Sequence, residues 1–159
     1  MESGQEARII QIDFSVASDK VNHQGILYKL CSVGVEGSVL SIFTQFLSDR
    51  SQHVMVDGCS SKLVNVVSGV LLGSVLGPLL LLLYTSERFS SLENKLTGYT
   101  DDSTLIAVVP SQGIRVTVAV SLSRDLIKVG EWCDLWGMKL NASNTKTMIV
   151  SRSRTMYHQ

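Results

Sequence analysis

The chain has 159 residues, 45% of them apolar and 18% charged, which is enough to bury one core and too apolar for a disordered chain. Its 14 basic residues balance 14 acidic ones, so charge alone does not mark a nucleic-acid binder. Cys31, Cys59 and Cys133 stand far apart with no C-x-x-C pair. That speaks against a disulfide framework or a zinc site, and for a reducing, intracellular setting.

The first residues, Met1 to Glu6, are polar and acidic and lack the basic and apolar regions of a signal peptide. Ile9-Ile10-Gln11-Ile12-Asp13-Phe14 reads as a buried strand that ends at an aspartate. Residues 22–33 have helical spacing through Ile26, Leu27 and Leu30, with Gly34 as the stop. Residues 38–47 form a second helical pattern. Residues 53–56 and 63–67 read as strands, and Asp57-Gly58 between them is a turn signal for a hairpin. No charge lies between Lys62 and Glu87, and an uncharged apolar stretch of about 18 residues or more is a membrane-span candidate. A span over residues 64–84 is therefore weighed. Polar residues, glycines and Pro78 interrupt it, so the preferred reading is a strand, a glycine-rich loop and a buried helix from about Pro78 to Leu92. Residues 96–99 and 104–109 read as strands around Thr100-Asp101-Asp102-Ser103. A long amphipathic helix runs from Ile114 to Trp136 and stops at Gly137. Residues 148–150 make a last short strand, and the tail from Arg152 reads as frayed. Strands interleaved with helices point to an α+β layer with helices on one face.

Asp13, Asp101 and Asp102 fall where strands end. Carboxylates at strand ends facing one cleft can hold Mg²⁺, which takes hard oxygen ligands and shares its shell with phosphates and water. Two such ions about 4 Å apart serve an attacking hydroxyl and a leaving oxygen. The plain alternative is that Asp-Asp in a hairpin is a solvated turn.

The surrounding strings decide between these. Residues 13–23, Asp13-Phe14-Ser15-Val16-Ala17-Ser18-Asp19-Lys20-Val21-Asn22-His23, resemble motif A of the non-LTR retrotransposon reverse transcriptases, D-x-S-K-A-F-D-x-V-x-H. Residues 68–80, which include Ser68-Gly69-Val70-Leu71-Leu72-Gly73-Ser74, resemble motif B, S-G-V-P-Q-G-S-V-L-G-P-x-L. Tyr99-Thr100-Asp101-Asp102 resembles the Y-x-D-D of motif C. Trp136-Gly137-Met138-Lys139-Leu140-Asn141, followed by Lys146-Thr147, resembles motif D. Order and spacing agree over nearly the whole chain.

The resemblance implies an α+β polymerase palm, a ferredoxin-like antiparallel sheet backed by helices, with fingers incomplete and thumb absent. Residues 1–151 would be the partial palm and 152–159 the frayed tail. It implies an RNA-directed DNA polymerase that joins deoxynucleoside triphosphates to a DNA primer on an RNA template, with two Mg²⁺ ions as cofactor. Asp13, Asp101 and Asp102 would be the metal-binding catalytic acids. Lys146 would protonate or neutralise leaving pyrophosphate. Phe14, Ser18, Leu72 and Gly73 would be the substrate-facing positions, Phe14 through its backbone.

The departures bear on substrate. Ser18 replaces the aromatic ring that excludes a ribose 2′-hydroxyl. Leu71-Leu72 replaces Pro-Gln, and leucine cannot make the hydrogen bonds of glutamine. Val16 and Asn144 replace lysines. These changes, with the aspartates kept, suit a decaying transposon copy and an impaired enzyme. A palm relic without activity is the alternative, and a small membrane protein is the least favoured one. The expected setting is intracellular, with nucleus and cytoplasm both open, no membrane, and oligomeric state open. His23 reads as a helix-start residue, Trp132 and Trp136 as a packing stripe, and Asn141-Ala142-Ser143 as a chance sequon.

Overall fold

The structure is a computed structural model that describes residues 5–15, 17–71, 73–86, 91–99 and 102–151. In chain order the elements are β1 (Glu6–Ile12), α1 (Ala17–Lys20), α2 (His23–Ser32), α3 (Gly37–Leu47), β2 (Ser51–Gln52), β3 (Met55–Val56), β4 (Cys59–Ser60), β5 (Val64–Asn65), α4 (Leu76–Thr85), β6 (Lys95–Tyr99), β7 (Asp102–Val109), α5 (Arg115–Trp136) and β8 (Lys146–Ser151). They group into two compact units, Met1–Ser15 with Glu87–Gln159, and Val16–Ser86.

The first unit is a four-stranded sheet in the order β6-β7-β1-β8, every neighbour antiparallel. That order and the long helix between β7 and β8 are ferredoxin-like. One face of the sheet is apolar because the strands alternate with period two. Ile10 and Ile12 of β1 and Leu105, Ala107 and Val109 of β7 are buried. α5 buries Leu122, Val129 and Cys133, and the Trp132 ring meets Phe14 edge-on at 6.3 Å between centroids. Gly137 ends α5 at φ +67, where a left-handed residue lets the chain turn back.

Among the described residues of this unit two acids, Glu6 and Asp125, are buried, and both are answered. Glu6 takes Arg115 at 2.7 Å and Arg8 at 3.3 Å. Asp125, inside the buried face of α5, accepts the backbone N–H groups of Glu93 (2.8 Å) and Asn94 (2.9 Å) and the Asn94 side-chain amide (2.8 Å). These bonds fix the lead-in to β6. β1 begins at Glu6 rather than Ile9, because ion pairing lets a charged residue join the sheet. Phe14 lies past the strand end, where it forms an isolated bridge with Leu140.

In the second unit Asn22 caps α2, accepting Gly25 N–H at 3.0 Å. α4 packs on α2 and buries Leu80, Leu81 and Tyr84. It starts at Leu76, earlier than the sequence reading, with Pro78 in the first turn where no N–H is needed. Its ten residues span about 15 Å, half of the roughly 30 Å a bilayer core requires. Among the described residues no helix is long and apolar enough to cross a membrane.

The hairpin arms pair differently from expectation. Asp57-Gly58 joins Met55–Val56 to Cys59–Ser60, and Val64–Asn65 pairs with Ser51–Gln52 instead. The turn has φ +49 and +79, a geometry that closes two residues onto their immediate neighbours. Both arms are exposed, so no buried face pins the register.

Candidate functional site

The site is built from the central strands outward. β1 pairs with β7 up to Ile12 opposite Ser103, and one step further along that register come Asp13 and Asp102. Asp102 opens β7 and is exposed, and Asp13 is half-buried. Lys146 opens β8, lies opposite Gln11 and is exposed. Paired residues share a face. Gln11, Lys146 and Asp102 therefore lie on the face turned away from the buried residues of α5, and Asp13 continues that alternation. Two of the three sequence-predicted acids and the lysine thus meet at one end of one sheet. Asp101 and Leu72 lie outside the described residues.

Asp13 is held from below by the turn that leads into β8. Its Oδ2 accepts the side-chain amides of Asn141 at 2.8 Å and Asn144 at 3.1 Å. Asn141 N–H donates to the Asp13 carbonyl at 2.9 Å, and Ser15 N–H to the Lys139 carbonyl at 2.8 Å. Both amides take the same carboxylate oxygen, Oδ2. Asn144, singled out in the sequence as a lost lysine, instead orients an acid. The carboxylate-binding role of Asn141 was missed, and its place in the motif D string was the one signal for it.

Phe14 is 3% exposed, so its ring belongs to the core. Ser18 and Gly73 belong to the second unit. Ser18 is half-buried, and its carbonyl accepts Val70 N–H at 2.8 Å. Gly73 is exposed at φ +87. The motif A and motif B segments of this unit are laced together: Ser68 Oγ donates to the Asp19 carbonyl at 2.9 Å, Gly69 N–H to the Val21 carbonyl at 2.8 Å, and His23 Nε2 meets the Gly69 carbonyl at 2.8 Å. His23 therefore does more than start a helix.

Asp13 and Asp102 offer hard carboxylate oxygens at adjacent sheet positions, a donor chemistry that fits Mg²⁺. Among the described residues no group of three metal-ligating side chains occurs.

The profile of the family described as "Reverse transcriptase (RNA-dependent DNA polymerase)" matches residues 1–157. The chain is 30% identical over 149 residues to the RNA-directed DNA polymerase from mobile element jockey of Drosophila funebris, covering 89% of this chain and 16% of that protein. It is 29% identical over 142 residues to the probable RNA-directed DNA polymerase from transposon BS of Drosophila melanogaster, covering 84% and 15%. This chain therefore spans a minor part of those relatives. The fold is similar to telomerase from Candida tropicalis in complex with the TWJ fragment of telomeric RNA, with TM-score 0.69, 14% identity, and 98% of this chain and 28% of that one covered. Apo telomerase from the same organism, truncated from the C-terminal domain, gives TM-score 0.64 at 15% identity, over 96% of this chain and 32% of that one. The fold is of the polymerase palm type, and the chain belongs to the reverse transcriptase (RNA-dependent DNA polymerase) family, in its non-LTR retrotransposon branch.

Proposed function

We propose that the chain carries the catalytic end of an RNA-directed DNA polymerase, extending a DNA primer on an RNA template with deoxynucleoside triphosphates. The observation that supports this is the β1–β7 register, whose last pair sets Ile12 opposite Ser103, with Asp13 following the one and Asp102 preceding the other. Asp13, Asp101 and Asp102 would hold two Mg²⁺ ions, and these would supply activation of the primer hydroxyl and charge stabilisation at the leaving oxygen. Asn141 and Asn144 fix the Asp13 carboxylate beforehand, so little reorganisation is left for the reaction. Lys146, on the same face, supplies a positive charge or a proton to departing pyrophosphate. By the family resemblance the Phe14 backbone, Ser18, Leu72 and Gly73 would be the substrate-facing positions. Residues 1–151 act as the palm and 152–159 as its tail.

Primer extension on an RNA template with Mg²⁺ tests this, beside the double variant Asp101→Ala, Asp102→Ala. Weak extension that the double variant abolishes is the expected result. No extension from folded chain would establish the second reading, an inactive palm relic, which Leu71-Leu72 in place of Pro-Gln favours.

A further inference from the structure

Arg50 is the one arginine between Arg8 and Arg88. It stands between α3 and β2, just after Asp49 at φ +53. The residue is half-buried, and its Nη1 is closed to solvent with no hydrogen-bond partner among the described residues. None of the ion pairs among those residues includes it. A guanidinium cannot shed its charge, and burying part of it unanswered is costly. The same residue lines a cavity of about 400 Å³ inside the second unit, together with Gln52, Asn65 and Asp19. This size falls among small-ligand clefts, about 300–1,000 Å³. The wall is tied together: Val66 N–H donates to the Arg50 carbonyl at 2.8 Å, and Ser51 pairs with Asn65. No hydrogen bond among the described residues occupies the Gln52 or Asn65 carboxamides.

We propose that this cavity is a phosphate-binding site. Arg50 presents a planar fork of donors that matches phosphate oxygens, and Gln52 and Asn65 add neutral amide donors. Asp19 on the same cavity sets the charge of the ligand. A cavity lined by one carboxylate and one guanidinium tolerates the single charge of a phosphodiester better than the several charges of a triphosphate. The favoured source is therefore the backbone of a nucleic-acid strand. The site deepens the polymerase reading and rests on it only for the identity of that strand.

The test uses the full chain and a labelled single-stranded oligonucleotide, with affinity followed by fluorescence anisotropy across a salt series. Losing one phosphate contact lowers the slope of log K against log salt by about 0.7 on a single strand. Arg50→Gln should show that drop and weaken binding about tenfold at low salt. Asn65→Asp and Gln52→Glu put a negative charge on the cavity from exposed positions and should weaken binding similarly, which covers the case that Arg50→Gln does not fold. A second arm measures protection against thermal unfolding by a nucleoside triphosphate without metal. If only that protection depends on Arg50, the site holds and its phosphate comes from a nucleotide. If folded variants change neither readout, or the chain binds neither ligand, the proposal is overturned. Asp102→Ala, which tests the polymerase reading through primer extension, should leave the salt slope unchanged, so the two failures are told apart.

Discussion

Asp13 is where the chemistry of single residues is densest. Two asparagine amides reach one of its oxygens, and hydrogen bonds to a charged acceptor are stronger than neutral ones. Asn141→Ala should lower stability by about 1–2 kcal/mol in urea unfolding. Asn144→Ala should cost less, because its bond is longer and its side chain is exposed. Equal costs would show that the two amides share the carboxylate evenly. Ser18 lies on the second unit, where the family has an aromatic ring. Ser18→Phe should restore exclusion of ribonucleotides, read as the ratio of deoxyribonucleotide to ribonucleotide incorporation in the same primer extension. An unchanged ratio would remove Ser18 from the sugar-recognising positions. At this scale the places of Asp13 and Asp102 at strand ends were legible, because the strand pattern and the motif strings both end there. Asn144 was not, because a missing lysine says which charge is lost and not which bond replaces it. Arg50 was not legible either, since a lone arginine at a loop has the look of a solvated charge until its burial is known.

Among the elements, the hairpin of β6 and β7 carries motif C, and α5 holds its approach. Asp125 is fully buried and takes three donors from residues 93 and 94. Asp125→Ala leaves those donors without their acceptor and should cost about 3 kcal/mol. Asp125→Asn, which keeps one oxygen, should cost less. An acid at the spacing of Leu122 and Val129 was the available signal for it. Gly69 is the joint between motifs A and B in the second unit. At φ +87 an added Cβ would stand 2.9 Å from Asp19 Cα and from the Ser18 carbonyl oxygen, so Gly69→Ala should cost at least about 1–3 kcal/mol. In the same unit, burial raises the pKa of Tyr84 above its usual 10.0, and its bond from Asn22 N–H offsets part of this. The unfolded chain then loses the phenol proton first. Stability from this group is whole below about pH 10 and falls as pH rises from there toward the folded value. Urea midpoints at roughly pH 8 and 10.5 should show a fall that Tyr84→Phe lacks. The helices and the central strands were readable from periodicity and stop signals, because a buried face imposes them. The hairpin register was not, because nothing buries its arms.

At the scale of the whole molecule, the apolar surface left uncovered sets the behaviour. Residues 53–67 expose Val54, Met55, Val56, Leu63, Val64 and Val67, the last at 81%. In the first unit β8 is an edge strand, and among the described strands it pairs with β1 alone. Met148, at 58%, and Ile149, at 50%, are exposed on this strand. Lys146 opens it, and no charge follows before Arg152. Natural edges are protected by charge, proline, bulges or short length, and Lys146 protects one end only. The opposite edge, β6, also starts with a lysine, Lys95, but is shorter at five residues against six. An edge of this kind is a template for another strand. The chain should therefore self-associate as its concentration rises, with β8 as the pairing edge. Met148→Lys puts a charge at the middle of that edge on an already exposed position, so folding stability should change by no more than about 0.5 kcal/mol. Sedimentation velocity on both proteins at matched concentrations should show the wild type shifting to larger species and the variant remaining smaller. If the two shift alike, the association runs instead through the exposed arms of the second unit, and Val64→Lys should then be the substitution that prevents it.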